Sequence, residues 1–182
     1  MRPVLVLTLV AFLATLLLAT VSEATKEPIR LAKEAQKRRA IEALFDFEIA
    51  KILSMNDSKS HKVFGTNGEE ARVLEISTRE GYSGVITAVV GVQKGILVNY
   101  SILSHTETPG LGDKIAKEGP FKAQFSGKAL IDFNWKVKKD GGDVDAITAA
   151  TISSRAISHM LEQALKTSEP LPHSMHEKEV AP

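Results

Sequence analysis

VITAVVGVQKGILVNYSIL, residues 85–103, holds two runs rich in Val and Ile on either side of Gln93-Lys94-Gly95. β-Branched side chains pack well on a pleated surface, and a short glycine-containing loop joins antiparallel neighbours, so Val85–Val92 and Ile96–Leu103 read as a β-hairpin. Upstream, Ala71–Ser77 has the same composition, and Gly81-Tyr82-Ser83-Gly84 supplies the turn between it and the hairpin. Downstream, Ile115–Phe125 reads as one or two short helical turns interrupted at Gly119-Pro120. Trp135–Lys139 reads as a further strand, ending at Asp140-Gly141-Gly142. From Ile152 to Lys166 the period changes: Ile152, Ala156, Ile157, Met160, Leu161, Ala164 and Leu165 form one apolar helical face. This order of elements predicts an α+β domain, an antiparallel sheet packed by helices.

The amino-terminal side is different in kind. Pro3 to Ser22, PVLVLTLVAFLATLLLATVS, is twenty residues without a charge. As a helix it would be roughly 30 Å long, the thickness of a bilayer core. A cleaved secretory signal is the competing reading, since Ser22 and Ala24 form a small-x-small site. The apolar run is longer than a usual signal core and only Arg2 precedes it, which favours a retained single span. Lys26 to about Ser54 reads as helix, with Leu31, Ala35, Ile41, Leu44 and Phe45 roughly on one stripe and Pro28 in a tolerated first-turn position. The polar run Asn56-Asp57-Ser58-Lys59-Ser60 ends it. The resulting division is an anchor over 1–25, a helical connector over 26–58, a domain over 59–167 and a disordered tail over 168–182. His173 and His176 in that tail are not read as ligands, and no metal site is expected.

Composition excludes several classes of function. The chain of 182 residues has no cysteine, so disulfides, thiolate nucleophiles and a self-ligated iron–sulfur cluster are out. Lys and Arg number 23 against 22 Asp and Glu, and Phe, Tyr and Trp number 7, 2 and 1, a poor basis for nucleic-acid binding.

Two segments carry possible chemistry. His105-Thr106-Glu107-Thr108-Pro109-Gly110-Leu111-Gly112-Asp113-Lys114 follows the hairpin; Pro109 extends Thr108, and Gly110 and Gly112 allow backbone to approach a ligand. An ordinary strand-to-helix turn would look the same. Asp145-Ala146-Ile147-Thr148-Ala149-Ala150-Thr151-Ile152-Ser153-Ser154 opens the last helix, where Thr and Ser are first of all caps but where free N–H groups also favour an anion. Thr151 has no His within six residues, so it is poorly placed to activate itself.

Together these segments resemble the FMN-binding domain of Rnf-complex G subunits and of the C subunit of the sodium-pumping quinone reductase. The first is similar to their ETPGLG loop and the second to their flavinylation motif, D-x-x-S/T-G-A-T/S. Gly81–Gly84, Phe125-Ser126-Gly127-Lys128 and Thr25-Lys26-Glu27-Pro28-Ile29 also look like Rnf G subunits, so the likeness covers about residues 4–167. The resemblance implies FMN joined through its phosphate to Thr151 by a flavin transferase that uses FAD and recognises Asp145. It also implies that Glu107, Thr108, Leu111, Gly112, Thr148 and Ala150 line the cofactor. Ala149 stands where the family usually has glycine, which places a methyl where the backbone calls for φ > 0.

The implied function is an electron-carrier subunit of a membrane-bound, ion-translocating ferredoxin:NAD oxidoreductase, partnered by the other subunits and the lipid bilayer. The alternatives are the quinone-reductase C subunit, a stand-alone extracytoplasmic flavoprotein relay, or a non-redox anchored binding module. Counted naively, Lys26, Arg30, Lys33, Lys37, Arg38 and Arg39 after the span would keep the domain in the cytoplasm. The resemblance implies the reverse: a single pass of the cytoplasmic (inner) membrane, N-terminus inside, flavin domain outside.

Overall fold

A computed structural model describes residues 2–54 and 59–168. Contacts divide the chain into two units, residues 1–39 and residues 40–182. The first consists of most of helix α1, Arg2–Glu42. Its amino-terminal part is long and apolar enough to cross a membrane. The hydroxyls of Thr8 and Thr15 donate back to the carbonyls of Val4 (2.9 Å) and Ala11 (2.8 Å), so neither leaves an open polar group on the apolar surface. Beyond Ser22 the surface turns ionic, with Arg30 joined to both Glu27 and Glu34. Pro28 lies inside this continuous helix, not in a first turn, where it withholds one N–H from the ladder.

The expected helix to about Ser54, and with it the helical connector over 26–58, needs correction. Helix α1 stops at Glu42, and Ile49–Ser54 is an edge strand, β1. It pairs with a second unanticipated strand, β2 (Ser60–Gly65). The sheet continues with β3 (Glu70–Thr78), β4 (Ile86–Gln93) and β5 (Ile96–Ser104), all antiparallel in the order β1-β2-β3-β4-β5. At the β4–β5 turn Gln93 pairs with Ile96, so the loop is two residues, one fewer than expected. Lys94 (φ 53°) and Gly95 (φ 78°) both adopt positive φ, the type I′ pattern whose twist matches a hairpin.

Both faces of this sheet are covered. Ile41, Leu44 and Phe45 close one face over Val63, Ala71, Val73 and Val89, all buried. On the other face lies α3 (Thr151–Ser168), packed through Ala156, Ile157, Met160, Leu161, Ala164 and Leu165 onto Leu74, Ala88, Val90 and Val92. Arg72 of β3 donates to the Ser168 carbonyl (2.8 Å), holding the end of α3, so Ser168 is helical and not the first residue of a tail. The remaining tail, with His173 and His176, lies outside the described residues.

The crossover from β5 to α3 contains a 3₁₀ turn over Gly112–Ala116 and the short helix α2 (Pro120–Ala123), with Gly119 at the break. Phe125 is fully buried and stacks on Trp135 at 5.9 Å. The strand expected over Trp135–Lys139 is absent. Trp135 and Val137 do alternate inward against exposed Lys136 and Lys138, but only Val137 finds a ladder partner, Val144. Gly141 (φ 81°) then turns the chain directly back.

Candidate functional site

Three separate segments line one cavity of about 470 Å³: Tyr82 from the turn after β3; Glu107, Thr108, Leu111 and Gly112 from the loop after β5; and Ala149 to Ser153 at the start of α3. The second and third segments each contribute a β-turn. In the first turn the Leu111 N–H donates to the Thr108 carbonyl (3.2 Å), with Pro109 and Gly110 (φ 78°) in the middle. Proline then positive-φ glycine is the sequence a type II turn demands. In the second, the Ala150 N–H donates to the Ile147 carbonyl (3.0 Å), and the positive φ of 62° falls on Ala149. The methyl suspected from the sequence is therefore in the left-handed region, at a cost of about 1–2 kcal/mol.

Helix α3 begins without a capping side chain. The Ala150 carbonyl accepts the first intrahelical bond, from the Ser154 N–H (3.0 Å), which makes Ala150 the N-cap. Alanine has nothing to offer the free N–H groups. Ser154 does not serve either, because its hydroxyl donates to the Ala150 carbonyl and accepts from the Ile147 N–H. Among the described hydrogen bonds, none engages the N–H of Thr151, Ile152 or Ser153. The Thr and Ser cluster is thus not a cap. Its open N–H groups face a cavity beside the half-buried Thr151, an arrangement suited to a phosphate.

Glu107 ties the segments together. The residue is 4% exposed; one carboxylate oxygen accepts from the Ser83 N–H (3.1 Å) and the other from the Ser153 hydroxyl. Thr106 reinforces the first link by donating to the Ser83 carbonyl (2.8 Å). Backbone packs so closely here that a Cβ on Gly112 would lie 2.8 Å from the Glu107 carboxylate and 3.0 Å from Ser153 Oγ. At the end of the same loop, the Lys117 ammonium holds the Asp113 carboxyl below its usual range, with help from the Gly110 N–H.

Of the residues singled out in the sequence, Glu107, Thr108, Leu111, Gly112, Ala150 and Thr151 line this one cavity. Thr148 does not; it is exposed in the turn before it. Asp145 is outside too, its backbone clamped by Gln124 (2.8 and 3.1 Å) and its exposed side chain paired with Lys138 (2.7 Å). The sequence did not name Tyr82, Ile152 or Ser153 as cofactor-lining, although Ile152 and Ser153 lie in the Thr- and Ser-rich segment singled out from it. Tyr82 sits between two glycines about twenty-five positions upstream, and Ile152 looked like a core position but is 45% exposed at the rim. A larger hollow of about 690 Å³ lies between the β2–β3 and β4–β5 turns, but it holds none of these residues, so size does not choose the site.

Glycine-shaped walls, an apolar rim of Tyr82, Leu111 and Ile152, and an open helix start describe a pocket for a ring system bearing a phosphate. Residues 81–166, which include every lining residue, match the family model of the FMN-binding domain. The protein is of that class: a flavin-binding domain behind a long apolar helix. Over longer spans it resembles proteins named as the G subunit of an ion-translocating oxidoreductase complex. The one from Vibrio atlanticus is 33% identical, over 89% of this chain and 87% of its own length. The Pseudomonas aeruginosa protein is 34% identical over 91% and 87%. That of Salmonella typhi is 39% identical over 62% and 59%. The chain belongs to this family of G subunits.

Proposed function

We propose that this chain is the electron-carrying flavin subunit of a membrane-bound, ion-translocating ferredoxin:NAD oxidoreductase, with FMN joined through its phosphate to Thr151. The observation that carries the reading is the start of α3: three unengaged N–H groups, no capping side chain, and the Thr151 hydroxyl at the rim of a cavity walled by the family's loop. A phosphodiester there keeps one negative charge, which the helix start stabilises. When bound, the flavin supplies the redox chemistry.

The chain's own residues supply attachment and placement. Ser153 and Ser154 are both buried with their hydroxyls engaged, which leaves Thr151 as the accessible acceptor in the first turn of the helix. Thr151 has no His within six residues, so attachment falls to a flavin transferase: Oγ forms the bond to the FMN phosphorus of FAD, and AMP leaves with the hydroxyl proton. Asp145, exposed and held by Gln124, is the handle for that enzyme. Tyr82, Leu111 and Ile152 offer apolar surface to the ring.

The apolar part of α1 anchors the chain in the cytoplasmic membrane, amino terminus inside, flavin domain outside, beside the other subunits. Its uncharged span offers no ion path, so ion movement belongs to those subunits. Deletion of the chain in its own organism should abolish ferredoxin-dependent NAD reduction by membranes. Wild type should restore it and Thr151→Val should not; full restoration by Thr151→Val would remove the carrier role.

A further inference from the structure

A buried carboxylate normally faces a cation, because an isolated charge out of water is costly. Glu107 has none: among the described residues no Lys, Arg or His side chain pairs with it, and its two oxygens accept only from the Ser83 N–H and the Ser153 hydroxyl. Both donors belong to segments that line or border the cavity, and Ser153 stands in the first turn of α3. The carboxylate therefore sits against the positive end of a helix whose own cap residue, Ala150, is mute. Gly81 and Gly112 enclose it; a Cβ on either would come within 2.7 or 2.8 Å of a carboxylate oxygen.

We propose that Glu107 is the positioning and charge-setting residue of this site: it locks the 81–84 turn onto the start of α3, and its buried negative charge holds the reduction potential of the bound flavin down. The inference rests on the reading that FMN occupies this cavity. Reduction adds electrons to the ring, so a fixed negative charge beside it opposes reduction, the more strongly where water is excluded. With each carboxylate oxygen bonded to a protein donor, Glu107 acts through this charge and through the turn it holds.

The test uses the full chain co-expressed with a flavin transferase, purified in detergent and titrated potentiometrically. Glu107→Gln keeps the shape and removes the charge; Ser153→Ala keeps the charge and removes a donor that partly neutralises it. The expected result is shifts of opposite sign, positive for Glu107→Gln and negative for Ser153→Ala. Shifts of the same sign, or none in either, would overturn the charge-setting role. If Glu107→Gln does not fold, the sign for Ser153→Ala decides alone. A readout without flavin tests the lock: in the Thr151→Val background each substitution should lower the melting temperature, and the double variant should lose less than the two losses added. Strict additivity would overturn the link. Wild type that carries no flavin would fail the underlying reading; flavin-loaded wild type with unmoved variants would fail only this inference.

Discussion

The two turns that flank the cavity do the same job with different residues. Thr108-Pro109-Gly110-Leu111 and Ile147-Thr148-Ala149-Ala150 each close through one backbone hydrogen bond and each place positive φ at the third residue. The first uses proline and glycine, which reach that conformation without strain. The second has alanine there, followed by another alanine at a position where helices prefer Ser, Thr, Asp or Asn. Strain and an uncapped helix end thus fall together, beside the threonine that the family resemblance marks for flavin. Such departures from local rule cluster at functional sites more often than elsewhere.

The largest effect should come from the point where the two segments meet. Gly112→Ala drives a methyl into the Glu107 carboxylate and Ser153 Oγ, neither of which is free to move. Overpacking should cost about 1–3 kcal/mol and lower the yield of flavin attachment; thermal melting and flavin content check this, and an unchanged variant would mean the segments are not tightly joined.

The next two changes are mirror images. Gly110→Ala, at φ 78° with no atom near the added methyl, should cost about 1 kcal/mol, roughly 3–5 °C in melting temperature. Ala149→Gly should return about the same amount and raise the yield of flavin attachment. Unequal magnitudes in thermal melts would show that the turns are not equivalent, with packing adding to backbone strain at one of them.

Smallest is Arg155→Gln. Arg155 holds Asp140 in a two-bond pair (2.5 and 2.8 Å) on the exposed side of α3, just past the second turn. The Arg155 hydrogen bond holds the Asp140 carboxyl below its usual value. A depressed acid pKa contributes stability above the unfolded value and loses it as pH falls through the folded one. The small difference between wild type and variant should be present at pH 7, begin to fall near about pH 4 and vanish only below the lowered Asp140 pKa. Melts across that range check it.

The β3–β5 part of the sheet and α3 were legible because their periods are clean and their turns carry glycine. The β1–β2 hairpin was not. Ile49-Ala50-Lys51-Ile52-Leu53-Ser54 has no alternation and directly follows the helical stripe of Leu44 and Phe45; as an edge strand exposed along nearly its whole length, it needs no alternation. Trp135–Lys139 failed in the opposite way, because its alternation is real but its neighbour supplies one bridge, not a ladder. At the site, the two motif segments were readable as sequence. Tyr82 was not, and Ser153 was readable only as part of a Thr- and Ser-rich helix start, since it is the Glu107 carboxylate, reaching to Ser83 upstream and Ser153 downstream, with Thr106 beside it, that joins these segments.

The measurement that bears most directly on the central claim is the intact mass of the full chain co-expressed with a flavin transferase, beside Thr151→Val, with in-gel flavin fluorescence. The expected result is one FMN added to the wild type, fluorescence that survives denaturation, and loss of both in the variant. An unmodified wild type, or a variant that keeps the adduct, would contradict the assignment of Thr151 and leave the open start of α3 without its phosphate.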